Sequence, residues 1–272
     1  MLSDITLGQY FPGNSIIHKL DPRFKILCII LYIVALFSAD SYIAFAAIAV
    51  STAVIVAASR LSVVMILKSL KPIVFILMFT VVANLLWTTG ETPLVDFRII
   101  KIYPEGIRYA LLMALRIVCL IVSTFVLLTY TTSPVALTDA IERLLSPFKK
   151  IGLPVHEFSM MMTIALRFIP TLIEETEKII NAQKARGADF ESGNLLRRAK
   201  ALVPILIPLF VSAFRRADEL AGAMECRLYH GGEGRTRMKV MKAGAGDILG
   251  LFAFVLFCAA IIATRFFAEG VI

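Results

Sequence analysis

Apolar residues occur in long runs along most of the chain, and short polar stretches separate these runs. A helix needs roughly 20 apolar residues to cross a bilayer. The runs at 24–38 and 42–58 are each near the lower limit for one span and together too long for one, so a helical hairpin that turns at Asp40 is predicted. Three further runs lie at residues 72–87, 107–130 and 248–267. The pattern predicts an all-α, multi-pass membrane protein with about five transmembrane helices.

Residues 131–247 show a different pattern, because charged residues are frequent and apolar residues recur at helical spacing. Turn signals divide the stretch into three helices: one that follows Ser133-Pro134, one from about 155 to 185, and one from about 193 to 227. The apolar run at 201–214 is too short to span a membrane. The predicted domains are residues 1–130 with a polar N-terminal segment and four spans, residues 131–247 with long amphipathic helices, and residues 248–272 with the final span and the C-terminus.

The composition supports this class, since 58% of the residues are hydrophobic, 18% are charged, and the mean hydropathy is +0.82. A net charge of +8 could indicate nucleic-acid binding, but in a membrane protein basic residues accumulate on cytoplasmic loops. With five spans, the basic residues near the N-terminus and those of 131–247 fall on one side. We therefore expect a cytoplasmic N-terminus, an extracytoplasmic C-terminus, contact with the lipid bilayer and no nucleic-acid partner.

Arg116 is the unusual residue within the predicted spans. A charge at that depth costs about 2.5–3.5 kcal/mol on insertion scales, so its side chain should face protein or water. Alternatively, the span begins later and Arg116 extends to the interface. The sequence leaves both interpretations open.

No constellation of residues indicates catalysis. The chain contains no GxxxxGK[ST] phosphate loop, and its three histidines, His18, His156 and His230, are scattered rather than spaced as metal ligands. Cys28, Cys119 and Cys258 lie in apolar runs and are expected to be free thiols. We expect no catalytic residue, no metal site and no cofactor bound by this chain.

Two arginines end the long amphipathic segments: Arg186 in Ala185-Arg186-Gly187 and Arg227 in Cys226-Arg227-Leu228. Taken singly, each could be a solvated cation near a helix C-terminus. As a pair with small or uncharged neighbours, they could instead dock into partner proteins, because a guanidinium forms forked, charge-assisted pairs with carboxylates.

Several motifs resemble the transmembrane T component of energy-coupling factor (ECF) transporters, the CbiQ/EcfT family. They are Tyr10-x-Pro12-Gly13-x-Ser15-x-x-His18-x-Leu20-Asp21-Pro22-Arg23-x-Lys25, Arg167-Phe168-Ile169-Pro170, Ala185-Arg186-Gly187, and Glu225-Cys226-Arg227 with its Gly231–Arg237 tail. The resemblance covers nearly the whole chain. The extended tail looks more like the shared T component than the cobalt- or nickel-dedicated type.

The resemblance implies a non-catalytic subunit in the cell membrane of a prokaryote. It would couple two ATP-binding cassette ATPase subunits, which bind ATP and magnesium, to one small membrane substrate-binding (S) subunit for vitamin or micronutrient uptake. The implied ATPase-docking residues are Ala185, Arg186, Gly187, Cys226, Arg227 and Leu228. The second motif departs from the family pattern, because Cys226 and Leu228 replace small residues. The amphipathic stripes would contact the S subunit through Met161, Met162, Phe168, Phe210 and Phe214.

Two alternatives remain. One is an ABC-type permease subunit with its own substrate path, which Arg116, Asn84 and Thr80 could line. The other is a membrane scaffold that recruits cytoplasmic proteins through the same helices without transport.

Overall fold

The structure is a computed structural model that describes residues 10–88, 95–97, 100–190, 194–232 and 243–267. Its helices are α1 (Ile16–Lys19), α2 (Pro22–Phe37), α3 (Tyr42–Ser59), α4 (Val63–Leu70), α5 (Val74–Trp87), α6 (Pro104–Thr124), α7 (Pro134–Leu145), α8 (Val155–Ala185), α9 (Leu195–Cys226) and α10 (Ala245–Phe267). Two 3₁₀ turns, Lys71–Ile73 and Ser146–Ile151, follow α4 and α7, and a π-helical turn, Phe125–Tyr130, follows α6.

The chain divides into two units. Among the described residues, the membrane unit comprises those of 10–137 and 243–267, and the amphipathic unit comprises those of 138–232. In the membrane unit, four helical segments of the described chain are long and apolar enough to cross a bilayer: Tyr42–Ser59, Val63–Trp87, Pro104–Tyr130 and Ala245–Arg265. The fifth predicted span corresponds to α2, which is apolar but has only 16 residues. The predicted fold class, an all-α multi-pass membrane protein, is confirmed.

The third span begins earlier than predicted. The sequence placed its start at Pro72, but the apolar helical segment begins at Val63. Ser62 caps α4 by accepting a hydrogen bond from the backbone N–H of Met65, and Pro72 lies in the 3₁₀ turn that joins α4 to α5. Proline is tolerated early in a helical turn, where its missing N–H costs no hydrogen bond, so the segment continues through it.

The core of the membrane unit lies where α2, α3, α6 and α10 pack together. Its buried residues include Tyr32, Leu36, Ile48, Cys119, Cys258 and Ile261. The hydroxyl of Tyr32 lies 2.6 Å from that of Thr52, which satisfies both buried polar groups. All four cysteines of the chain are free thiols.

The turn between α2 and α3 holds Arg116. Its guanidinium donates a hydrogen bond to the carbonyl oxygen of Ala39 and lies 5.1 Å from the centre of the Phe45 ring. Because α6 begins at Pro104, Arg116 is well inside this helix. The contacts support the interpretation in which Arg116 faces protein rather than lipid.

Two short strands precede α6, where the sequence predicted only a polar loop. Strand β1 (Val95–Phe97) pairs antiparallel with β2 (Ile100–Ile102), with Val95 opposite Ile102 and Phe97 opposite Ile100. Three residues per strand is too little for independent stability, so this hairpin is an attachment to the helical fold.

Candidate partner-docking site

The two longest helices, α8 and α9, carry the predicted docking residues at their C-terminal ends. They contain 31 and 32 residues, which corresponds to lengths of about 47 Å at 1.5 Å per residue. The predicted bounds agree closely with the observed ones. Pro170 lies inside α8, and Pro204 and Pro208 lie inside α9.

Arg186 is the C-cap residue of α8. Gly187 follows with a positive φ of 87°, and its N–H donates to the carbonyl of Lys184 at 2.9 Å. The N–H of Ala188 reaches back to the carbonyl of Gln183 at 3.0 Å. This pair of bonds is a Schellman motif, which satisfies the last carbonyl groups of a helix and favours glycine at the left-handed position.

Arg227 caps α9 in the same way. The N–H of Leu228 donates to the carbonyl of Glu225 at 2.9 Å, and that of Tyr229 donates to Met224 at 3.1 Å. Leu228 takes the left-handed position with φ 56°. The two docking motifs therefore share one backbone geometry, although their flanking side chains differ.

Both predicted docking motifs are open to solvent. All six of their residues are exposed, and Leu228 is 77% exposed. Neither Arg186 nor Arg227 forms an ion pair with another residue in the described part of the chain. Each guanidinium thus keeps its five N–H donors available for a partner.

A polar cross-link joins the two helices about two-thirds of the way along their length, counted from their N-terminal ends. Glu175 of α8 accepts a hydrogen bond from the hydroxyl of Ser212 and forms an ion pair with Arg216, both on α9, with a distance of 2.8 Å to the Arg216 Nη2 atom. Glu175 precedes Arg186 by eleven residues, and Arg216 precedes Arg227 by eleven residues. Each arginine is therefore about 16 Å along its helix from the cross-link.

Sequence reasoning missed this cross-link. Its only signal was Ser212, the one polar side chain in the apolar run 201–214.

The residues predicted to contact an S subunit lie on two kinds of surface. Phe168 lines an open cleft of 270 Å³ between α8 and α9, together with Leu172 and Leu220. Phe210 and Phe214 stack on the outer face of α9, where they are 61% and 67% exposed. Met161 and Met162 are exposed on α8. The structure thus brings Phe168 into the helix pair and leaves the other four accessible.

A second polar contact lies in the same unit. Nδ1 of His156 on α8 is 3.0 Å from the Glu142 carboxylate on α7. Gly232 packs against the His156 ring so closely that a Cβ would lie 2.5 Å from Cδ2.

Across the described residues, no group of three or more His, Cys, Asp or Glu side chains could hold a metal ion.

The polar residues of the permease alternative are engaged by backbone carbonyls. The Thr80 hydroxyl donates to Ile76 at 2.9 Å, and the Asn84 amide donates to Thr80 at 2.9 Å. The guanidinium of Arg116, the third residue of this alternative, donates to the carbonyl of Ala39.

Comparisons with known proteins agree with the resemblance. A family model described as "Cobalt transport protein" (CbiQ) matches residues 13–239. Proteins named "Energy-coupling factor transporter transmembrane protein EcfT" are similar over almost the whole chain. The one from Clostridium kluyveri is 55% identical over 264 residues, 96% of this chain and 97% of its own length. The one from Bacillus subtilis is 46% identical over 239 residues, 88% of this chain and 90% of its own.

A third such protein, from Lactococcus lactis, is 44% identical over 255 residues, 94% of this chain and 96% of its own length. Together with several apolar helices of spanning length, these similarities identify a multi-pass transporter membrane component. The chain belongs to the CbiQ/EcfT family of energy-coupling factor transporter transmembrane proteins.

Proposed function

We propose that this chain is the non-catalytic coupling subunit of an ECF transporter. It transmits the motion of two ATPase subunits, which bind ATP and magnesium, to a separate membrane S subunit that takes up a vitamin or another micronutrient. The observation that carries the proposal is the matched pair of exposed arginine caps at the ends of α8 and α9. Two docking elements that share one backbone geometry suit a pair of ATPases that close together.

The rest of the amphipathic unit supports the same role. The Glu175–Arg216 ion pair links α8 to α9. A force applied at Arg186 or at Arg227 is therefore shared by both helices. The exposed aromatic rings of α9, Phe210 and Phe214, supply apolar surface for a membrane partner. Exposed methionines on α8 can repack against different partners at low cost.

In this proposal the amphipathic unit and the N-terminus are cytoplasmic, since the ATPases are cytoplasmic proteins. The C-terminus is then extracytoplasmic, and the complex lies in the cell membrane of a prokaryote.

The proposal is tested by reversing the charge of each arginine. Arg186→Glu and Arg227→Glu should each reduce co-purification of the ATPases by about tenfold or more, because a carboxylate at a docking anchor leaves the partner's charges unpaired. Arg197→Glu is the matched control, since Arg197 is an exposed arginine in the first turn of α9. Full assembly and normal uptake in both docking variants would contradict the proposal.

A further inference from the structure

The N-terminal segment, residues 10–25, has no part in the proposed docking, yet it is closely organised. Nε2 of His18 lies 2.9 Å from the carbonyl oxygen of Phe11, which can only accept, so Nε2 carries the proton. Nδ1 then accepts from the Ser15 hydroxyl at 2.6 Å. Gly13 packs on the same ring, and a Cβ there would lie 2.8 Å from Cε1. The ring therefore holds the path of residues 11–15, which precede it in the chain.

Lys25 connects this segment to a distant part of the chain. Its side chain is buried, with the residue only 2% exposed. The ammonium donates to the Thr131 carbonyl at 2.9 Å, the Thr131 hydroxyl at 3.2 Å and the Thr132 hydroxyl at 3.1 Å. An ammonium has three N–H donors, and all three are used here. None of these partners is a carboxylate, so the bonds depend wholly on how residues 131–132 are held.

Thr131 and Thr132, which bind Lys25, also form hydrogen bonds to the end of the span that contains α6. Their hydroxyls donate to the carbonyl of Leu127 at 2.9 and 3.1 Å, and this carbonyl lies in the π-helical turn that ends α6. The N–H of Phe11 adds a bond to the Tyr130 carbonyl at 3.0 Å. A cation at this end also favours the helix dipole. The N-terminal segment thus caps the C-terminal end of this span.

The capped end is also where the chain leaves the membrane helices. Only three residues, 131–133, separate the π-helical turn from α7. Ser133 caps α7 through its hydroxyl, which accepts from the N–H of Ala136 at 3.3 Å. π-helical turns inside longer helices often occur at functional sites. Residues 131–133 are therefore held by hydrogen bonds on both sides, to Leu127 and to Ala136.

We propose that Lys25 and residues 10–25 form a brace that makes ATP-driven movement of the amphipathic unit act on the spans. This inference rests on the proposed coupling function and names Lys25 as a positioning residue for it. Without the brace, residues 131–133 bend locally and part of each ATP-driven movement is lost. The ATPases still bind and still hydrolyse ATP.

The test uses Lys25→Met, which keeps the apolar stem and removes the ammonium. The full complex is reconstituted in vesicles with the S subunit that co-purifies with it, and uptake of that subunit's radiolabelled substrate is measured per ATP hydrolysed. We expect this ratio to fall about tenfold while ATPase co-purification is unchanged, because coupling free energies of 1–3 kcal/mol correspond to such factors. Lys68→Met is the matched control, because Lys68 is an exposed lysine of the same unit.

A second measurement covers the case in which Lys25→Met folds poorly. Thr132→Val removes one hydroxyl acceptor and keeps the side-chain shape, and it should lower the same ratio while amides of residues 125–137 exchange hydrogen several-fold faster. An unchanged ratio in both variants would overturn the brace and leave the docking function intact. Loss of ATPase binding in the Lys25 variant would also overturn it, since the residue would then serve assembly. Failure of the docking function itself would instead appear in the Arg186 and Arg227 variants.

Discussion

Removal of the Glu175 charge tests whether α8 and α9 act as one mechanical element. The carboxylate binds both the Ser212 hydroxyl and the Arg216 guanidinium, and the side chains of Glu175 and Arg216 are 22% and 36% exposed. A hydrogen bond to a charged group contributes about 1.5–3 kcal/mol when shielded, and exposed ion pairs contribute up to about 1 kcal/mol. For this half-buried pair we expect Glu175→Gln to lower the free energy of unfolding by about 1–2 kcal/mol.

The assay is a double-mutant cycle on the purified chain in detergent, with unfolding followed by circular dichroism. Combining Glu175→Gln with Arg216→Met should give a coupling energy of about 1 kcal/mol. Once the carboxylate of Glu175 has been removed, Arg216→Met lowers the free energy of unfolding by less than it does in the unaltered chain. Glu174→Gln is the control, since Glu174 is the exposed neighbour and undergoes the same chemical change. A coupling energy within about 0.3 kcal/mol of zero would refute the role of the ion pair.

Two further predictions concern the helix ends. Gly187→Ala should lower the free energy of unfolding by about 1 kcal/mol, because the φ of 87° at this position is strained for any other residue although the space around it is open. Gly222→Ala, inside α9 and in similarly open space, should raise the free energy of unfolding by about 1 kcal/mol. Equal effects of the two variants in thermal unfolding would contradict the cap geometry. Cys226 is the one exposed thiol among the four cysteines. Under the proposed orientation it is cytoplasmic, so a membrane-impermeant maleimide should label it in inverted vesicles and not in intact cells, and bound ATPases should slow that labelling. Labelling from outside intact cells would contradict the proposed orientation.

Local signals were sufficient to predict the long helices. Pro154 just before Val155 and Gly187 just after the C-cap fix the ends of α8 through backbone restrictions that need no tertiary partner. The predicted start of the third span was wrong because the uninterrupted apolar run begins only at residue 72, after Lys68 and Lys71. In the structure these lysines belong to α4 and the turn that follows it.

The contacts between residues far apart in the chain could not be predicted from the sequence. Lys25 forms hydrogen bonds to residues more than 100 positions away, and Arg116 donates to a carbonyl 77 positions away. Glu175 pairs with Arg216, which lies 41 positions further along the chain on α9. Periodicity indicates which face of a helix is apolar, but it does not say which other helix meets that face. These contacts therefore emerge only when the helices are packed.

The two helix ends differ only in side chains, and this difference bears on the proposed partners. Leu228 occupies a left-handed position that costs a leucine about 1–2 kcal/mol, and its side chain remains 77% exposed, so packing of this side chain within the described chain does not offset the strain. Burial of a leucine side chain in a partner's groove contributes about 1.5–3 kcal/mol, enough to offset it. At the other end, Gly187 offers only close backbone approach. One groove shape cannot suit both ends, so under the proposed function this asymmetry favours two different ATPases over two identical ones.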